Sequence, residues 1–209
     1  MKLEQQIIYA NKIYKILHTE QEFIIHPAAL GIFPMSKAAL QCSFSSMFHM
    51  EDYKLILDKI TVANDTANKQ SSDGIEKHYE MNNLAVSYNG TILIGANPVK
   101  EYFIVNGKTE CFSYQNVFEL VFEDGILITT VDQSKAMLRI RKNIELGLRN
   151  LNNSKDKKCI VRFMNASFVG DYRISLFFHS RMKYLKDMKN KYIDTLLQSA
   201  SLLKIDIAK

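Results

Sequence analysis

Residues 84–131 read LAVSYNGTILIGANPVKEYFIVNGKTECFSYQNVFELVFEDGILITTV, and this stretch decides the expected fold. Apolar runs alternate with short polar breaks, and each break carries a turn signal. Leu84–Tyr88 and Thr91–Ile94 flank Asn89-Gly90, while Glu101–Val105 and Lys108–Tyr114 flank Asn106-Gly107. Asn-Gly reaches the two positive-φ conformations of a tight hairpin turn at little steric cost. A third pair, Val117–Phe122 and Ile126–Val131, is joined by Glu123-Asp124-Gly125. Three consecutive hairpins predict an antiparallel meander of about six strands.

Downstream of the meander, Met137, Ile140, Ile144, Leu148 and Leu151 share one helical arc, and Lys135, Arg139, Lys142 and Arg149 share the opposite one. One face packs and the other is basic. Upstream, Leu3–Leu17 places Ile7, Ile8, Ala10, Ile13, Tyr14 and Leu17 at three-, four- and seven-residue intervals, which predicts an N-terminal amphipathic helix. Short strands are expected at Glu22–Ile25, Leu30–Phe33 and Leu40–Phe44, and a second helix at Glu51–Val62, which opens on two acids. Asn64–Lys77 and Asn152–Lys158 are polar connectors. Cys159–Met164 and Phe168–Phe178 suggest a last pair of strands, and Ser180–Ile205 a long C-terminal helix.

The expected fold class is therefore α+β: a central antiparallel meander over residues 84–131, packed by amphipathic helices, with helices at both ends. Three regions follow, 1–63, 78–151 and a basic 158–209, either separate or sharing one core. A small meander followed by one amphipathic helix resembles the arrangement of pleckstrin-homology-like barrels over residues 80–151. That resemblance implies a binding module for acidic lipid headgroups or a protein segment.

Charge is distributed unevenly. Residues 1–134 hold 10 Lys+Arg against 16 Asp+Glu, and residues 135–209 hold 17 against 6, within a total of +5. Asymmetry of this kind points to an acidic partner for the basic part. An apolar fraction of 47 %, with 10 Tyr and 12 Phe, excludes a wholly disordered chain. Three cysteines at wide spacing fit neither a disulfide framework nor a zinc set, which favours a reducing compartment. The charged first residues lack the pattern of a signal peptide, so a cytoplasmic location is expected.

The five histidines, His18, His26, His49, His78 and His179, lack the spacing of helical metal ligands, and the eight glycines form no phosphate loop. No cofactor is implied. One acidic constellation, Glu119, Asp132 and Lys135 beside the third hairpin, has the residue types of a metal-dependent nuclease, in which acids hold the ion and a lysine neutralises phosphate. The stronger candidate is a basic ridge of Lys135, Arg139, Lys142 and Arg149, continued by Lys183 and Lys186 on the last helix. Lys155, Lys157, Lys158, Arg162 and Arg173 extend it. Such a cluster neutralises phosphates or meets an acidic protein surface. The leading expectation is a non-enzymatic binding or adaptor protein whose basic part engages an acidic partner, with self-association through the acidic N-terminal and basic C-terminal parts. A nucleic-acid-binding accessory protein is the alternative, and a nuclease the third reading.

Overall fold

The computed structural model describes residues 4–32, 44–63, 76–102, 109–174 and 176. They form a mostly β structure rather than the expected α+β meander: eight strands in one mixed sheet, with two α-helices among the described residues. The strands are β1 (Gln6–Tyr9), β2 (Lys12–Thr19), β3 (Phe44–Glu51), β4 (Lys54–Ala63), β5 (Glu76–Ala85), β6 (Gly90–Pro98), β7 (Tyr114–Glu123) and β8 (Ile126–Asp132). Helices α1 (Ser134–Glu145) and α2 (Ser154–Ser167) follow.

The N-terminal segment is a hairpin, not a helix. Ala10 and Asn11 both take positive φ, 48° and 59°, and make the two-residue turn between β1 and β2. Strand alternation then carries Ile7, Tyr9, Tyr14 and Ile16 into the core and leaves Ile13 outside. The expected helix at Glu51–Val62 is likewise a hairpin, turned by Asp52 and Tyr53 at φ 47° and 64°. A register shift between Leu57 and Lys59 explains the false helical period. Leu55 and Leu57 precede the shift, Ile60 and Val62 follow it, and all four face one core.

The sheet closes on itself in the order β1, β2, β6, β7, β8, β4, β3, with β3 returning to β1 as the parallel pair. One rung, Lys54 with Ile126, joins β8 to β4. Strand β5 lies along the rest of that β4 edge. The third expected hairpin forms as read: β7 and β8 pair across Asp124 and Gly125, at φ 50° and 76°. Asn89-Gly90 makes no hairpin, because β5 pairs with β4 while β6 lies between β2 and β7. Asn106-Gly107 lies outside the described residues. Strands β6, β7 and β8 are antiparallel neighbours and run into α1.

Two apolar cores result. Inside the ring Ile7, Phe48, Leu55, Leu57, Ile60, Ile92, Ile94, Leu120 and Phe122 pack together. On the outer face of β6 and β7, Leu93 and Val117 meet Met137, Ile140 and Ile144 of α1 and Ile160 and Met164 of α2. Gly95 lets this second layer approach: a Cβ there would lie 2.8 Å from Leu17 and 2.9 Å from the Tyr114 ring.

The C-terminal expectations need similar correction. Cys159–Met164 lies in α2 and is not a strand; Asn153 caps the helix by accepting the Lys155 N–H at 2.8 Å. Six residues with apolar side chains on both parities fit either period. Helix α1 stops at Glu145, before Leu148 and Leu151, with Gly147 at φ 72° just beyond. Residues 168–174 form no strand. The helix expected at Ser180–Ile205 lies outside the described residues.

Candidate anion-binding face

Helices α1 and α2 form the outermost layer, and their solvent side is cationic. Lys135, Arg139 and Lys142 are exposed on α1, Arg149 is exposed beyond its end and not on the same helical arc, and α2 adds Lys155, Lys158 and Arg162. Lys183 and Lys186 lie outside the described residues. Burying Ile160 and Met164 inward leaves the α2 cations no direction but outward.

Among the described residues, concavities interrupt this surface at two places. A cleft of about 180 Å³ between the helices is lined by Arg139, Asn143, Arg149, Cys159, Ile160 and Phe163. The Arg139 guanidinium sits 5.5 Å from the centre of the Phe163 ring, which holds a long side chain over the cleft by cation–π attraction. Arg149 faces Asp156 at 3.9 Å and donates to its neighbour's carbonyl, Leu148 O, at 2.9 Å. The second concavity, about 360 Å³, runs along α2 with Val161 and Leu176 as floor and Lys157, Lys158 and Arg162 as rim.

Arg141 is different. It lies on the packed side of α1, 6 % exposed, and its guanidinium donates to the carbonyls of Phe112 and Tyr114 at 2.7 Å each. Burial pushes its pKa down, against the attraction of Tyr102 and Glu145. This arginine fastens α1 to the chain entering β7 and leaves the ridge to its neighbours.

The acidic constellation is taken apart by register. Glu119 opposes Val131, whereas Asp132 opposes Phe118, so the two carboxylates emerge on opposite faces of the sheet. Glu119 is fully buried beneath the segment after α2. It accepts from Gln133 Nε2 at 2.6 Å, from the Val169 N–H at 2.9 Å and from the Gly170 N–H at 3.0 Å. Glu20 takes the next amide, Asp171, at 2.9 Å and the Thr91 N–H at 2.8 Å. Tyr172 closes the pocket, and burial together with the Glu119 charge pushes its hydroxyl pKa far up. Asp132 accepts from the Ser134 N–H at 2.8 Å at the start of α1, and Lys135 is exposed. Among the described residues no group of three or more His, Cys, Asp or Glu is placed to hold a metal ion.

No family model, curated protein or solved structure matches this chain.

The face itself defines the chemistry available. Exposed guanidinium and ammonium groups beside shallow, partly apolar clefts hold anions by charge and hydrogen bonding, and Arg139 and Arg149 supply two planar donor sets at one cleft. The sequence located the α1 cations because they recur at the helical period. It missed Arg141 as an anchor, although its position beside Ile140 and Ile144 was the available signal. It also missed Glu20 and Gln133, whose partners are distant in the chain. Among the described residues no helix is long and apolar enough to cross a membrane.

Proposed function

We propose that this chain is a non-enzymatic binding protein whose basic helical face engages an acidic partner. The observation that supports it is the meeting of Arg139 and Arg149 at one cleft between α1 and α2, on a layer whose other solvent-facing cations are Lys135, Lys142, Lys155, Lys158 and Arg162. A helix that only covers a core needs a polar outer face of either sign, and the exposed charged residues of these two are cations except for Glu145. An acidic protein segment fits the clefts because their apolar lining, Ile160 and Phe163 in one and Val161 and Leu176 in the other, rewards side chains between the charges. A nucleic-acid partner is the second reading, favoured by the spread of cations over both helices, which suits a line of phosphates.

The test is binding of labelled polyglutamate and of single- and double-stranded DNA and RNA, titrated from low to physiological salt. Wild-type protein is expected to bind polyglutamate with an affinity that falls as salt rises, and Arg139→Glu/Arg149→Glu is expected to lose at least tenfold. Tighter binding of a nucleic acid would favour the second reading. Absence of binding to every polyanion at low salt would overturn both.

A further inference from the structure

The barrel has an acidic tip where two of its turns meet. The β3–β4 turn carries Glu51 and Asp52, and the β7–β8 turn carries Glu123 and Asp124. Closure of the ring sets these turns side by side: Leu55 donates to the Gly125 carbonyl at 2.9 Å, and Leu127 to the Tyr53 carbonyl at 2.7 Å. Four exposed acids therefore lie along one seam of the barrel, with Lys54 among them and Lys12 at the neighbouring β1–β2 turn. Between them stand two apolar side chains, Tyr53 at 72 % exposure and Ile126 at 46 %. Tyr53 is also an unusual occupant of its position, since a bulky residue at φ 64° is disfavoured where asparagine or glycine would be relaxed.

The groove on α2 has the opposite character. Its rim is Lys157, Lys158 and Arg162, and its floor, Val161 and Leu176, is apolar. An exposed aromatic ring ringed by carboxylates complements an apolar pocket ringed by cations in both charge and polarity. The tip is built by the β3–β4 and β7–β8 turns, whereas the groove belongs to α2, which packs on the outer face of β6 and β7. Both are fixed parts of one packed structure and share no element, so they meet between molecules and not within one.

We propose that the partner of the α2 groove is a second copy of this chain, docked head to tail through the tip formed by Glu51, Tyr53, Glu123 and Ile126. This rests on the proposed role of the basic face and names its occupant. Because the two surfaces differ, each docked copy leaves one free tip and one free groove, and assembly continues until a ring closes or a fibre grows. Attraction of unlike charges makes the association weaken with salt.

Sedimentation velocity over a concentration series, at low and physiological salt, tests the assembly with two charge-reversed variants. The tip variant is Glu51→Lys/Glu123→Lys and the groove variant Lys158→Glu/Arg162→Glu; all four positions are exposed, and unchanged urea midpoints verify folding. Wild type is expected to form species larger than dimers at low salt, and each variant alone to remain monomeric. An equimolar mixture joins the intact tip of one variant to the intact groove of the other. The reversed tip and the reversed groove complement each other as well, so the mixture is expected to associate again where each variant alone does not. A wild-type chain that stays monomeric at low salt, or that assembles undiminished in both variants, would overturn the proposal. If monomeric wild type still binds polyglutamate, the basic face stands as an acid-binding surface with another occupant; if it binds neither, both readings fall.

Discussion

Gln133 donates to Glu119 at 2.6 Å inside the protein, and the same amide nitrogen donates to the Ser167 carbonyl at 2.7 Å. One glutamine thus ties the start of α1 to both β7 and the end of α2. Glu119 then takes the Val169 and Gly170 amides. The segment leaving α2 is held by these charge-assisted bonds together with Phe168 and Tyr172, which are buried in the second core.

Replacing Glu119 by alanine strands the amides of Gln133, Val169 and Gly170 away from water. Each buried donor left without a partner costs about 1–3 kcal/mol, so a loss of about 3–5 kcal/mol is expected in urea unfolding. Glu119→Gln keeps the shape but brings a donor against donors, and is expected to recover less than half of that loss.

Arg141→Met removes the donor for two buried carbonyls, Phe112 and Tyr114. A destabilisation of about 2–4 kcal/mol is expected, with protection from hydrogen exchange lowered first at the start of β7 and along α1. Polyanion binding by the folded protein is expected to be unchanged, which separates this arginine from Arg139 and Arg149.

Gly125 takes φ 76°, and a Cβ there would press into the Val86 carbonyl. Gly125→Ala therefore meets both a left-handed backbone and a backbone clash, and is expected to cost at least about 2 kcal/mol in chemical denaturation. Gly31→Ala has a similar φ, 72°, with open space around the added carbon. It is expected to cost only the conformational part, about 1–2 kcal/mol.

Buried tyrosines give the protein an alkaline limit. Burial pushes Tyr102 and Tyr114 up to about 12 from the ordinary 10.0. Below pH 10 both folded and unfolded chains keep these protons, and stability is independent of them. Between pH 10 and 12 the unfolded chain releases protons that the folded chain retains, so stability falls as pH rises. Urea midpoints across this window are expected to drop, with a shallower slope in Tyr102→Phe and Tyr114→Phe.

How far the sequence could be read depends on how local each signal was. The β7–β8 hairpin was legible because Asp124-Gly125 and the flanking alternation sit within one short window. Helix α1 was legible because Met137, Ile140 and Ile144 repeat at its own period. The β1–β2 and β3–β4 hairpins were misread because Ala10-Asn11 and Asp52-Tyr53 are weak turn formers that nonetheless adopt positive φ. Tertiary closure, not propensity, places them there. In the site, exposed cations on α1 follow from a wheel, but the opposite faces of Glu119 and Asp132 follow only from the register with Phe118 and Val131. Pairing across a sheet is a fact about two strands, and neither strand contains it alone.

The rung between Lys54 and Ile126 sets the expected order in which this protein comes into being. The β1–β2, β3–β4 and β7–β8 hairpins join neighbours in the chain and form quickly, whereas closure brings the first half against the second and is slow. During synthesis the early hairpins must wait, with Ile7, Phe48 and Leu57 uncovered, until β8 has been made. In pulse-labelled refolding the amides of Leu55 and Leu127, which bond across that seam, are expected to gain protection last. The chain's most exposed moment is thus set by one late stitch, and a cell that makes this protein must shelter an open, greasy trough until it is drawn shut.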